Sequence, residues 1–174
     1  SILNQTYQDF ELIVVDNFSN YDFFALIESF KNNKIIAFQN QNNGIIAVNR
    51  NVGIKHAKGE YLAFCDDDDL WIQNKIEKQL NYLQLQNADI IYTPLLCFNE
   101  KGDNYIRKAK QLKNISQLIG KNEINLSSVF VKNISSIRFD EDPNLVTVED
   151  YFLWLDLYKS GLNFILLNEP TIKY

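Results

Sequence analysis

The chain has 174 residues, of which 46% are hydrophobic and 22% are charged, and its formal net charge is −5. This balance fits one globular domain with a substantial core, and the negative charge argues against binding to a nucleic-acid backbone, which needs clustered lysine and arginine. No apolar run is long enough to cross a bilayer and no secretory leader is recognisable. We therefore expect a cytoplasmic protein, and the inner face of the membrane is one location that this expectation includes.

Strands and helices alternate along the first half of the chain. Runs of branched apolar residues predict buried strands, and apolar residues three or four positions apart predict helices that pack on them. Glycine and polar residues separate the segments. The predicted strands are 11–15, 34–38 and 61–65, and the predicted helices are 22–30, 45–58 and 72–86.

The second half has weaker periodicity but continues the same order. Because strands alternate with helices, we expect an α/β fold with a mostly parallel sheet flanked by helices, and a small mixed region toward the C-terminus. The predicted segments are a strand at 88–92, a turn at 99–104, a basic loop with a short helix at 108–121, a strand at 127–131, a helix at 147–159, and strands at 164–167 and 171–174.

Four consecutive aspartates, Asp66 to Asp69, directly follow an apolar strand. Adjacent carboxylates about 4 Å apart repel by roughly 4 kcal/mol at an effective dielectric constant near 20, and a strand end limits how far they can separate. Mg²⁺ or Mn²⁺ relieves this repulsion and keeps coordination positions open for substrate phosphates. A solvated acidic loop is the plainer alternative, but the apolar strand before the run and the amphipathic helix after it favour a metal site.

Residues 57–71, in which an apolar strand ends in D-x-D-D before an aromatic residue, resemble the central signature of glycosyltransferase family 2. Four further segments agree with the family in the same order. They are S-I-L-N-Q-T-Y at 1–7, L-I-V-V-D-N-F-S at 12–19, N-G at 43–44 with R-N-V-G at 50–53, and E-D-Y-F-L-W at 149–154. The resemblance implies a single GT-A domain over 1–174, with a nucleotide-binding half at about 1–98 and an acceptor-binding half at about 99–174.

The resemblance also implies roles for residues on the donor side. Asp16 should accept a hydrogen bond from the nucleotide base, commonly uracil, and Arg50 should face the diphosphate. Asp66 should lie by the ribose or a metal-bound water, and Asp68 should ligate Mn²⁺ or Mg²⁺. Asp16 also has a structural interpretation, since an aspartate at a strand end can stabilise a turn.

On the acceptor side the resemblance implies that Asp150 is the general base. A structural alternative exists here too, because Thr147 can cap the helix and acidic residues in a first turn stabilise its dipole. Further candidates for contact with the sugar or the acceptor are Asp69, Glu149, Ser127 and Ser128.

These roles predict a metal-dependent inverting glycosyltransferase. It would transfer a sugar from a nucleotide diphosphate sugar, with a UDP-sugar as the expected donor, to a glycan or lipid-linked acceptor in surface polysaccharide synthesis. The departing diphosphate needs a cation, and the attacking hydroxyl needs a carboxylate base. A non-catalytic GT-A-like module that binds a sugar nucleotide or glycan is the alternative. A phosphatase with a nucleophilic aspartate fits less well, because Asp69 stands where that class usually has threonine or valine.

Members of the family extend beyond both ends of this sequence. The missing segments include part of the base-binding loop and a histidine that approaches the diphosphate, so we expect a clipped chain, and inactivity of the fragment alone is one expected outcome. The expected partners are the sugar nucleotide and the acceptor, without a nucleic acid, and peripheral association with a membrane is a further expectation.

Overall fold

The computed structural model describes residues 1–98 and 104–174. Its strands are β1 (Leu12–Asp16), β2 (Ile35–Gln39), β3 (Tyr61–Ala63), β4 (Leu70–Trp71), β5 (Ile90–Tyr92), β6 (Leu95–Phe98), β7 (Asn104–Arg107), β8 (Phe130–Lys132), β9 (Phe164–Leu166) and β10 (Ile172–Lys173). Its α-helices are α1 (Phe23–Ser29), α2 (Ile46–His56), α3 (Lys75–Leu85), α4 (Ile115–Gly120) and α5 (Glu149–Lys159). Most of the predicted turn at 99–104 lies outside the described residues.

The chain forms two compact units, each built from separate stretches of sequence. Unit 1 comprises Ser1–Gln8, Tyr61–Asn133 and Trp154–Tyr174, and unit 2 comprises Asp9–Glu60 and Ile134–Leu153. Neither unit coincides with the predicted halves at about 1–98 and 99–174. The division into a nucleotide-binding and an acceptor-binding half therefore stays a functional prediction.

Unit 2 contains a strand–helix–strand arrangement that the sequence predicted. Strands β1 and β2 pair in parallel, and α1 connects them. Asp22 caps α1 by accepting a hydrogen bond from the backbone N–H of Ala25 at 3.0 Å, which satisfies one of the free donors in the first turn. Helix α2 packs on β1, where a Cβ atom at Gly53 would lie 3.9 Å from the Val15 side chain.

Unit 1 contains two four-stranded mixed sheets. One has the order β3-β8-β5-β9 and the other has the order β4-β10-β6-β7. Parallel pairing occurs between β5 and β9 and between β6 and β10, whereas the other pairs of both sheets are antiparallel. Helix α3 packs on β5 and β8 and buries Ile76 and Leu83.

The prediction of a mostly parallel sheet was wrong for the described residues. Strand β8 runs antiparallel to both of its neighbours, β3 and β5. The chain reaches β8 through the hairpin of β6 and β7, a coil, and α4, rather than through one crossover helix packed on the sheet. A parallel pair needs such a crossover, and an antiparallel pair does not.

The coil after β7 is fixed to β5 by a buried tyrosine. Tyr92 is 0% exposed, and its hydroxyl donates to the carbonyl of Lys110 at 2.6 Å and accepts from the N–H of Leu112 at 3.0 Å. Burial raises the pKa of Tyr92 to about 12. The phenol therefore stays protonated and serves as a structural tie. Among the described helices, none combines the length and apolar character needed to cross a bilayer.

Replacing Tyr92 with phenylalanine should destabilise the protein. The change removes both hydrogen bonds of the hydroxyl and leaves the Lys110 carbonyl and the Leu112 N–H without that partner. The free energy of unfolding should fall by about 1–2 kcal/mol. Urea-induced unfolding measures this cost. Tyr21→Phe, at a tyrosine that is 52% exposed, is the matched control and should change stability by less than about 0.5 kcal/mol. Equal stabilities of the two variants would contradict the prediction.

Candidate active site

The aspartate run forms a loop between β3 and β4 in unit 1. The N–H of Asp69 donates to the carbonyl of Asp66 at 3.2 Å, which closes a turn. Asp67 and Asp68 are exposed and Asp66 is half-buried, whereas Asp69 is only 5% exposed. The loop thus directs Asp68 toward solvent and Asp69 toward the interior of the unit. We call Asp66 to Asp69 the aspartate loop.

Ser127 fixes the aspartate loop from the interior. Its hydroxyl accepts a hydrogen bond from the N–H of Asp66 at 2.9 Å and also bonds to the carboxylate of Asp69. Burial raises the pKa of Asp69, and the charges of Asp66 and Asp68 raise it further, against the opposing effect of Ser127. The second oxygen of this carboxylate, Oδ2, is buried without a partner among the described residues. Buried polar atoms normally have partners, so this oxygen is available to accept a hydrogen bond from a ligand or a water molecule.

A buried polar cluster behind the loop holds the residue next to Ser127. Lys75 is 0% exposed, and its ammonium donates to the Oε1 atom of Gln79 and to the carbonyl of Ser128 at 3.4 Å. Gln79 donates to the same carbonyl at 2.8 Å. The ammonium also lies 5.1 Å from the ring centre of Trp71. Sequence reasoning missed this cluster, which turns the inward face of α3 into a support for the loop.

Both serines that were candidates for acceptor contact lie inside unit 1. Ser127 and Ser128 are 0% exposed, and the Ser128 hydroxyl donates to the carbonyl of Asn125 at 2.7 Å. Their hydrogen bonds are with the protein itself. The geometry therefore supports a structural role for this pair, and contact with an acceptor stays a prediction.

In unit 2, Asp16 lies at the end of β1 and is buried. Its carboxylate accepts hydrogen bonds from the N–H of Ser19 at 3.0 Å, from the hydroxyl of the same serine, and from the side chain of Gln39 at 3.0 Å. Burial by itself would raise the pKa of Asp16, but these hydrogen bonds outweigh it and hold the pKa below its usual value. Asp16 is therefore an ionised, oriented hydrogen-bond acceptor at neutral pH, as its predicted role requires.

Unit 2 also brings Arg50 and Glu149 together. The two side chains form an ion pair, and both are largely buried. The guanidinium lies 5.4 Å from the ring centre of Phe139. The Oε2 atom of Glu149 is buried without a partner among the residues that the structure describes. Asp150, the next residue, is half-buried in the first turn of α5.

Asn51 has a structural role that the sequence motif did not predict. It exchanges two hydrogen bonds with the backbone of Phe139, at 2.8 and 2.9 Å, and donates to Glu141 at 2.8 Å. These bonds tie α2 to the stretch that precedes α5 within unit 2. The R-N pair of the sequence motif thus combines an ion-pairing residue with a structural one.

Residues 1–141 match the Glycosyl transferase family 2 model, so the chain belongs to glycosyltransferase family 2. It is 30% identical over 167 residues to the UDP-Glc:alpha-D-GlcNAc-diphosphoundecaprenol beta-1,3-glucosyltransferase WfaP of Escherichia coli, with 93% of this chain and 64% of the relative covered. It is 33% identical over 178 residues to an uncharacterized glycosyltransferase of Haemophilus influenzae, with 100% of this chain and 70% of the relative covered. A putative teichuronic acid biosynthesis glycosyltransferase, TuaG of Bacillus subtilis, is 27% identical over 180 residues, with coverages of 100% and 70%.

The fold also has solved counterparts. A crystal structure of residues 1–349 of S. aureus TarS in complex with UDP has a TM-score of 0.78 and 19% sequence identity to this chain, and the match covers 99% of this chain and 54% of that one. The likeness confirms an α/β fold with helices and mixed sheets. The chain spans about two thirds of the length of the E. coli relative and about half of the length of that TarS chain.

The buried Lys75 predicts a distinctive pH dependence of stability. Burial lowers its pKa from 10.5 to about 7, so above pH 7 the unfolded chain binds more protons at this position than the folded chain. The free energy of unfolding should therefore rise with pH, by at most about 1.4 kcal/mol per pH unit. Urea unfolding of the wild type and of Lys75→Met between pH 7 and 9 isolates this slope.

The window ends at pH 9 for a physical reason. Burial raises the pKa of the Cys65 thiol from 9.0 to about 11, which adds a slope of opposite sign above pH 9. Within the window, the stability of the wild type should rise relative to that of Lys75→Met. Parallel pH profiles of the two proteins would show that burial does not lower the pKa of Lys75.

Proposed function

We propose that this protein is a metal-dependent inverting glycosyltransferase that transfers a sugar from a UDP-sugar to a glycan or lipid-linked acceptor in surface polysaccharide synthesis. The observation that carries the proposal is the aspartate loop of a family 2 chain, in which buried Asp69 keeps one carboxylate oxygen without a partner in the described residues. WfaP is named for a UDP-glucose donor and a diphosphoundecaprenol-linked acceptor, and TuaG for teichuronic acid biosynthesis. These names support the same classes of donor and acceptor here.

The aspartate loop fits a divalent cation that also binds a diphosphate. Carboxylate oxygens are the ligands that Mg²⁺ and Mn²⁺ prefer, and such ions commonly use one or two carboxylates together with substrate phosphates. In the described part of the chain, no group of three or more histidine, cysteine, aspartate or glutamate side chains is placed to hold a metal ion by itself, so substrate phosphates would have to supply some of the ligands. Asp68 would hold the ion, with Asp66 beside it, and the ion would neutralise charge on the leaving diphosphate.

Asp16 would hold the base of the nucleotide. Its ionised carboxylate is oriented by Ser19 and Gln39, so it can accept a hydrogen bond from an imide N–H such as that of uracil. The structures of TarS with UDP and with UDP-GlcNAc support a uridine nucleotide as the ligand to test. Arg50 would supply positive charge to the diphosphate, in exchange for its ion pair with Glu149.

Asp150 would act as the general base. In the reaction, the acceptor hydroxyl attacks the anomeric carbon, its proton passes to the Asp150 carboxylate, and the bond from that carbon to the diphosphate oxygen breaks. Attack on the face opposite to the leaving group inverts the anomeric centre. Asp150 lies in the first turn of α5, near the positive end of the helix dipole.

Binding of UDP should depend on Mn²⁺ and on Asp68. Isothermal titration of the protein with UDP, with and without Mn²⁺, tests this directly. Asp68→Asn should weaken Mn²⁺-dependent binding on the order of 10–100-fold, because it removes a charged ligand. Asp67→Asn is the matched control, since Asp67 is an exposed carboxylate of the same loop without an assigned role. Equal losses in the two variants would point to general loop charge rather than to coordination by Asp68.

Asp150→Asn should abolish sugar transfer and spare nucleotide binding. Loss of a general base lowers turnover by roughly 10²–10⁴-fold, and the amide preserves the size of the side chain. Asp156→Asn, at an exposed position of the same helix, is the control and should retain turnover. The readouts are product formation from a UDP-sugar and UDP affinity. Near-normal turnover of Asp150→Asn would remove this residue from the base role, and UDP binding without turnover by the wild type would favour the non-catalytic binding module.

A further inference from the structure

Residues 104–122 form a basic segment in an acidic chain. The segment contains five of the 17 lysine and arginine residues and no aspartate or glutamate, whereas the whole chain carries a net charge of −5. The five cationic residues are Arg107, Lys108, Lys110, Lys113 and Lys121. Such a separation of charge along a sequence favours an anionic partner. We refer to residues 104–122 as the basic segment.

The basic segment also exposes large apolar side chains. Tyr105 is 61% exposed, Ile106 is 53% exposed and Ile119 is 59% exposed, and all five cationic residues are exposed as well. Strand β7, which contains the first two of these apolar residues, is an edge strand of its sheet. Surfaces that lie at a lipid–water interface typically combine lysine and arginine with exposed aromatic and aliphatic residues.

The structure holds the middle of the basic segment in a fixed position on unit 1. Besides the bonds of Tyr92 to the backbone at 110 and 112, the side chain of Gln111 donates to the carbonyl of Phe164 at 2.8 Å and accepts from the N–H of Leu166 at 2.7 Å. The backbone of the coil is therefore tied to β5 and β9. The lysines on this coil are presented from an ordered support, which reduces the entropy lost when they bind.

Three of the cationic residues differ from Lys121 in their ionic contacts. Among the described residues, Lys108, Lys110 and Lys113 take part in no ion pair, whereas Lys121 pairs with Glu123 at 3.2 Å. Arg107 lies 4.7 Å from the ring centre of Tyr174, and its charge lowers the pKa of Asp69. The basic segment thus begins within electrostatic range of the aspartate loop, in the same unit.

We propose that the basic segment docks unit 1 on an anionic lipid bilayer. The lysines would contact lipid phosphates, and the exposed apolar side chains on the face of the segment that meets the bilayer would enter the interfacial region. The docking itself requires no catalytic activity. Only its purpose rests on the proposed function, namely to bring the aspartate loop near acceptors carried by the membrane. A nucleic acid is the competing occupant, and the exposed apolar side chains of the segment favour the bilayer, because they gain free energy on entering a lipid interface.

Vesicle co-sedimentation tests the proposal. The protein is mixed with vesicles of phosphatidylglycerol and phosphatidylcholine, or with vesicles of phosphatidylcholine alone, at an ionic strength of about 0.1 M, where the screening length is about 10 Å. The test variant is Lys108→Gln/Lys110→Gln/Lys113→Gln. The control, Lys31→Gln/Lys55→Gln/Lys58→Gln, removes the same charge from three exposed lysines of unit 2. Circular dichroism and UDP titration of all three proteins establish that the fold and the nucleotide site are unchanged.

We expect the wild type and the control to bind the anionic vesicles and not the neutral ones. Each lysine near such a surface contributes about fivefold to partitioning, so the test variant should bind on the order of 100-fold more weakly. Equal binding by test variant and control, or equal binding to both kinds of vesicle, overturns the proposal. Failure of the wild type to sediment with vesicles while it binds single-stranded RNA would assign the segment to a nucleic acid instead. Vesicle binding without UDP binding would support the docking surface and count against the proposed function.

Discussion

The hydroxyl of Ser127 is the interaction on which the candidate site of unit 1 depends. It accepts a hydrogen bond from the N–H of Asp66 and bonds to the carboxylate of Asp69, so one side chain holds both ends of the aspartate loop. Mutual repulsion of the carboxylates would otherwise spread this loop. The buried ammonium of Lys75 bonds to the carbonyl of Ser128 and thereby keeps its neighbour in place. The acidic side chains are therefore arranged by the interior of the unit before a ligand arrives.

The sequence predicted most helices and strands because their signals are local. Asp22 before an apolar helix, for example, predicted the start of α1, and the structure shows the capping hydrogen bond. Strand direction has no comparable local signal, since it depends on how the chain returns to the sheet, and so the antiparallel entry of β8 was not predicted. Strand β4 has two residues and β7 is exposed throughout. Neither strand shows the alternation of apolar and polar residues by which a strand is recognised.

The sequence predicted the acidic residues of the candidate site but not the buried residues that support them. Four consecutive carboxylates after an apolar strand are conspicuous, and a family motif gave Asp16 and Asp150 their expected roles. Lys75 and Gln79 carried no such signal, because lysine is rarely fully buried and both residues lie beside the apolar face of a helix. Their spacing of four residues places them one above the other on α3. Two hydrogen-bonding side chains at this spacing on an inward face are the pattern that would have revealed them.

The burial of Lys75 has a consequence for the chemical reactivity of the folded protein. With a pKa of about 7, a large share of this amine is unprotonated at neutral pH, which is the state that attacks acylating reagents. Its side chain is nevertheless 0% exposed, so such reagents cannot reach it while unit 1 stays folded. This nucleophilic amine is thus shielded, and mass-spectrometric detection of label on Lys75 would report opening of the protein interior.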